Sequence, residues 1–170
     1  MPHKIHGFEE KPPRIAYVDP SFFLNLMVKD SVFFEECKSY SGKLKKSKTV
    51  LVMSNLGLDE IWYVQLKLFA MKDYGKNWQK ILKDKPDVVK KYSEEIEIST
   101  LELMQIPNLL LAEVSVDQTM LSLNLMKKYG LFPRDAIHAA ATIASRIENI
   151  ITTDSDFKRI DELEVYTCNE

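Results

Sequence analysis

The spacing of apolar residues changes several times along the chain, and each change marks an element. Residues 15–18, Ile-Ala-Tyr-Val, follow the Pro12-Pro13 breaker as a continuous apolar run and stop at Asp19, which predicts a short strand buried on both faces. Phe33, Cys37, Tyr40 and Leu44 recur at helical spacing and predict a helix over 31–44. A β-branched run at 49–53 predicts a second strand, which Ser54, Asn55 and Gly57 end. From Asp59, the residues Ile61, Val64, Leu68 and Met71 return to helical spacing as far as Gly75. A short helix at 78–83 and a longer one from Pro86 to Pro107 follow, the latter with Val89, Tyr92, Ile96 and Leu103 on one side. Residues 109–114 read as a third strand. Ser115 and Gln118 then have capping-box spacing and open a helix ending near Gly130. Pro133 opens the last helix, with Ala136, Ala140, Ile143 and Ile147 in phase. Strands at 149–153 and 163–166 complete the series.

Strands alternating with helices imply right-handed crossovers and a mostly parallel sheet covered on both faces, an α/β fold. The chain has 170 residues, of which 45% are hydrophobic, enough for one core over 14–170. Residues 1–13 read as a flexible extension. Ligands of such sheets bind beyond the carboxyl ends of the strands.

Charge and composition narrow the function. A net charge of −2 excludes a uniformly basic nucleic-acid coat but leaves room for local patches. No apolar run approaches the roughly 20 residues needed to cross a bilayer, so no membrane association is expected. The N-terminal residues lack an apolar signal core, so a cytoplasmic location is expected. Cys37 and Cys168 are far apart in sequence and read as free thiols.

Acids recur at strand ends and helix starts: Asp19, the pair Asp59 and Glu60, Asp135, and Asp154 with Asp156. Each alone is explained by the helix dipole. As a set they would converge on one edge of a parallel sheet. Packed carboxylates repel unless a cation lies among them, and oxygen donors without His or Cys suit Mg²⁺ or Mn²⁺. Such an ion activates water and neutralises charge on a phosphoryl group, which points to phosphodiester hydrolysis. Two other readings fail. Residues 150–156 look like the Asp-x-Asp strand of haloacid-dehalogenase-like phosphatases, but that motif there precedes the rest of the catalytic set. The Gly and distal Glu of an EF-hand loop are absent.

The segments at 17–24 (Tyr-Val-Asp-Pro-Ser-Phe-Phe-Leu), 58–61 (Leu-Asp-Glu-Ile), 133–140 (Pro-Arg-Asp-Ala-Ile-His-Ala-Ala) and 150–157 (Ile-Ile-Thr-Thr-Asp-Ser-Asp-Phe) resemble the PIN domain, in that order. The resemblance implies a three-layer PIN-like fold with a central, mostly parallel sheet flanked by helices, in which the helical stretch at about 75–107 is an insertion. It also implies a Mg²⁺- or Mn²⁺-dependent ribonuclease, as in the toxins of toxin–antitoxin pairs, with RNA as substrate, an antitoxin protein as partner and a homodimer as assembly. By position, Asp19, Glu60, Asp135 and Asp154 match the metal-binding catalytic acids. Asp156 matches an acid beside the site, and Ser21 and Thr152 match supporting polar residues. The competing reading is a catalytically silent PIN-like module that binds RNA or protein.

Other features read more plainly. His138 shares a helix face with Asp135 and reads as a hydrogen-bonded structural histidine, and His3 and His6 read as part of the extension. The run containing Lys38, Lys43, Lys45, Lys46 and Lys48 reads as a solvated helix end or as a phosphate patch beside the acids. In the second case Lys45 and Lys46, with Arg134, would bind substrate.

Overall fold

The computed structural model describes residues 5–169. They fall into two compact units, one formed by residues up to Gly57 together with those from Pro107 onward, the other by Leu58–Ile106. The strands are β1 (Ile5–Gly7), β2 (Ile15–Val18), β3 (Val50–Ser54), β4 (Leu109–Ala112), β5 (Asn149–Ile151) and β6 (Glu164–Thr167). The helices are α1 (Pro20–Met27), α2 (Phe34–Ser47), α3 (Asn55–Tyr74), α4 (Trp78–Asp84), α5 (Pro86–Met104), α6 (Val116–Tyr129) and α7 (Pro133–Ala144).

The first unit is built on one sheet in the order β1-β6-β5-β2-β3-β4, with every pairing parallel, as the βα alternation predicts. Helices flank it to give the three-layer α/β arrangement. In β2, Ala16, Tyr17 and Val18 are all fully buried, which is what the unbroken apolar run required. A continuous core joins Tyr17, Val52 and Ile150 of the sheet to Leu125, Ala136, Ala139 and Ala140 of the helices and to Phe157, Ile160 and Val165.

Local chemistry explains where elements begin and end. Ser115 and Gln118 form the reciprocal capping box at the start of α6, and Gly130 closes that helix with φ +68°, a conformation a side chain disfavours. The second helix lies three residues later than its spacing predicts and is closed by Lys48 in the left-handed region (φ 55°). Helix α1 is not visible in the apolar spacing. It forms because Asp19 caps it and Pro20 occupies its first turn. Gly57 is required by close approach, since a Cβ there would lie 2.8 Å from Met53 Cγ and 3.2 Å from Pro20 Cγ.

Residues 5–7, expected within a flexible extension, form the edge strand β1, with Ile5 in register with Val165. Side chains hold this segment as well. The His6 ring stacks on Tyr166 with centroids 4.5 Å apart, and Lys43 Nζ donates to the carbonyls of Phe8 (2.9 Å) and Glu9 (2.8 Å). His3 lies outside the described residues.

The second unit contains most of α3 with α4 and α5. Polar ties join its two long helices: Trp62 Nε1 donates to Thr100 Oγ1 (2.8 Å), and Tyr92 Oη donates to Asp73 (2.5 Å). Cys37 is buried in α2 and Cys168 half-buried, both free. Burial pushes both thiols up, and for Cys37 the neighbouring Cys168 adds to the shift. Among the described residues, no helix is long and apolar enough to cross a membrane.

Candidate active site

The sheet order places a crevice at the carboxyl end of β2. From β2 the chain adds β3 and β4 on one side, whereas β5 and β6 return on the other, so β2 is the topological switch point. The first residue past it is Asp19. Its N–H donates to the Ile151 carbonyl (2.9 Å), which fixes it against the end of β5. Its side chain is 5% exposed and accepts hydrogen bonds from Ser21 N (3.1 Å), Ser21 Oγ and Thr152 Oγ1 (3.1 Å), all on Oδ2. Oδ1 accepts none from the described residues. Burial pushes this carboxyl above its ordinary value, while the His138 ring and the Ser21 and Thr152 donors pull it back.

The loop after β5 is tied to the same group. Thr152 Oγ1 donates to Asp19 and accepts from Asp154 N (2.9 Å), so one hydroxyl links the two acids. Ser21 Oγ accepts from Thr153 N (3.0 Å), and Asn25 Nδ2 donates to Ser21 O (2.8 Å) and Thr153 Oγ1 (2.9 Å). Asp154 Oδ1 caps the turn Ser155–Arg159 by accepting from Asp156 N (2.9 Å). Asp156 is itself engaged by Arg159, whose Nη2 lies 2.7 Å away. Replacing Thr152 with Val keeps the shape but removes all three hydroxyl contacts, to Asp19, Asp154 N and Ser21 Oγ. The expected result is a roughly 10- to 100-fold loss of the proposed activity with the fold retained, measured as cleavage rate against the circular dichroism spectrum.

The third acid is located by the contact beneath it. His138 is fully buried on α7, with Nδ1 2.6 Å from Tyr17 Oη. Helix α7 leads directly into β5, so it runs antiparallel to the strands. Asp135, three residues before His138, stands about 4.5 Å nearer the carboxyl edge. Asp19, two residues beyond Tyr17 on the same strand face, stands about 6.6 Å nearer that edge. Asp135 therefore lies towards the same sheet edge as Asp19. Arg134 precedes Asp135 in the first turn of α7.

Asp19, Asp135 and Asp154, with Ser21 and Thr152, thus share one sheet edge. Glu60 lies on α3 within the second compact unit. Among the described residues, no group of three or more His, Cys, Asp or Glu is gathered closely enough to hold a metal ion by itself. Lys45 and Lys46 are at the opposite edge: α2 runs through them into Thr49, whose hydroxyl donates to the Pro13 carbonyl (2.8 Å) just before β2 begins. Their charge does not border the acids, which corrects the substrate-contact reading of the lysine run.

The family model of the PIN domain matches residues 16–163, nearly the whole described chain. The chain belongs to the PIN domain family. No curated protein matches it. Three solved structures share the PIN fold with this chain. VapC20 of Mycobacterium tuberculosis, described as a toxin that cleaves the sarcin-ricin loop, is 20% identical with a TM-score of 0.54, covering 84% of this chain and 92% of its own. A toxin–antitoxin complex from Klebsiella pneumoniae is also 20% identical (TM-score 0.51; 91% and 98% covered). VapBC2 of Rickettsia felis, bound to a DNA fragment from its promoter, is 17% identical (0.56; 89% and 96%).

In this PIN domain, Tyr17, Ser54, Asn25 and Thr153 are polar partners that the sequence reading did not single out. Tyr17 is hidden inside an apolar strand pattern. Asn25 carried a usable signal, because it stands four residues from Ser21 on one helix face. His138 is the hydrogen-bonded histidine its position suggested.

Proposed function

We propose that this chain is a divalent-metal-dependent endoribonuclease, the toxin of a toxin–antitoxin pair, with Asp19, Glu60, Asp135 and Asp154 as its acidic centre. The observation that carries the reading is the state of Asp19: a buried carboxylate at the switch point whose three hydrogen bonds all fall on Oδ2. Such a group is costly to ionise by itself, and it offers Oδ1 to a hard cation. The donor set, carboxylate and hydroxyl oxygens, fits hard ions such as Mg²⁺ or Mn²⁺, which keep several waters of their own. A bound ion of this kind supplies an activated water and offsets charge on the phosphoryl group.

The chain's own residues do the rest. Ser21 and Thr152 hold the Asp19 carboxylate in one orientation. Asp154 is steadied by the turn it caps, and Asp156, paired with Arg159, stiffens that turn. Arg134 stands beside Asp135 to meet a substrate phosphate. Membership of the PIN family, and toxins among proteins of the same fold, support RNA as substrate, an antitoxin as partner and a homodimer as assembly.

The test is incubation of purified protein with single-stranded and structured RNA in Mg²⁺ or Mn²⁺. Cleavage is expected in either ion, none in excess chelator, and none by the Asp135→Asn variant. Cleavage that persists in chelator overturns the mechanism. RNA that is retarded in a gel but never shortened, in any divalent ion, establishes the silent binding module instead. Because Lys45 and Lys46 lie at the far edge, replacing both with Ala changes the cleavage rate by no more than about two-fold at physiological salt, whereas lysines lining the site would cost far more.

A further inference from the structure

We propose that Tyr17 and His138 are positioning residues which set the separation of Asp19 and Asp135, a role that rests on the acidic-centre reading above. The observation is a polar junction sealed inside the apolar core. Tyr17, Ser54 and His138 are each fully buried. Tyr17 Oη donates to Ser54 Oγ (2.8 Å), accepts from Ser54 N (3.3 Å) and lies 2.6 Å from His138 Nδ1. A phenol has one proton. With that proton on Ser54, the contact to α7 is an Nδ1–H donated by the ring. One oxygen thereby joins β2, β3 and α7.

The other buried residues of α7 are small, Ala136, Ala139, Ala140, Ala141 and Thr142, and the Thr142 hydroxyl is spent inside the helix on the His138 carbonyl. Small apolar side chains let α7 approach the sheet but do not fix where it stops along its axis, because apolar attraction is non-directional. The Tyr17–His138 hydrogen bond supplies the missing register. Asp135 is one helical turn above it and Asp19 one strand repeat above it, so any slide of α7 moves one acid past the other by the same amount. A displacement of about 1 Å in such a centre costs on the order of 100-fold in rate. The acids thus depend on a contact that touches neither metal nor substrate.

Tyr17→Phe tests this while keeping the ring. Three quantities are measured: the melting temperature without metal, the Mn²⁺ concentration giving half-maximal thermal stabilisation, and the Asp19–Asp135 Cα separation in crystals. Ile160→Val serves as the control that loosens the same core from outside β2, β3 and α7. Tyr17→Phe and His138→Leu are expected to raise the half-saturating Mn²⁺ concentration about ten-fold and to change the Cα separation. His138→Asn, whose amide nitrogen can stand near the position of Nδ1, restores most of the affinity if the variants that lack the bond are too unstable to compare. Ile160→Val lowers only the melting temperature. A Tyr17→Phe protein with wild-type Mn²⁺ response and unchanged separation overturns the positioning role. If the wild type is not stabilised by any divalent ion and cleaves nothing, the acidic-centre reading fails by itself, and the crystallographic separation still decides whether the junction sets the register.

Discussion

Replacing Asp19 with Asn is expected to lower RNA cleavage by roughly 10³-fold or more while leaving the metal-free protein at least as stable as the wild type. The two effects have opposite signs for one reason. The carboxyl is buried at the carboxyl end of β2, and burial raises its proton affinity above that of the unfolded chain. The folded protein then binds more protons than the unfolded one over the intervening pH range, so stability falls as pH rises above the ordinary Asp value of 3.8 and stays lowered beyond the folded-state value. A neutral amide escapes that loss and keeps an oxygen to accept from Ser21 and Thr152. It has no charge with which to hold a cation. Melting curves from pH 4 to pH 8 should therefore show the wild type losing ground to Asp19→Asn as pH rises. A variant that cleaves at the wild-type rate, or that melts well below the wild type throughout, contradicts this account of Asp19.

The largest expected effect on stability lies a few residues further along. Phe157 is fully buried and stands in the short turn that Asp154 opens, packed in the core that includes Tyr17, Ile150, Ile160 and Val165. Phe157→Ala removes the ring and leaves a cavity, at a cost of about 3–5 kcal/mol. For a chain of this length that is a fall of roughly 6–20 °C in melting temperature. Because the ring also anchors the turn carrying Asp154 and Asp156, cleavage should decline at temperatures where the protein is still folded. Calorimetry and activity at 25 °C measure the two effects separately. A shift of only a degree or two would mean that the turn is held by its hydrogen bonds and not by the ring.

What the sequence made legible, and what it did not, follows from the kind of signal each feature leaves. The buried strand β2 and the capped helix α6 were readable because unbroken apolar runs and the Ser115–Gln118 spacing are local. The nearness of Asp19 and Asp154, joined through Thr152, was readable because strands of a parallel sheet end on one edge. Helix α1 was hidden because Asp19 both ends a strand and caps a helix. Strand β1 was hidden because three residues carry almost no periodicity, and partners on β6 and α2 supply its order. The lysine run was misplaced for a different reason: composition gives the sign of a charge but not the edge it occupies, and the passage of α2 into β3 decides that. The Tyr17–His138 junction spans 121 residues and leaves no local trace.

The most direct test of the acidic centre is anomalous scattering from crystals soaked in Mn²⁺. The expected map has a peak at bonding distance from Asp19 Oδ1, shared with Asp135 or Asp154 and absent in Asp19→Asn crystals. A well-ordered site with no peak there at saturating Mn²⁺, or a peak that survives the substitution, contradicts the central claim.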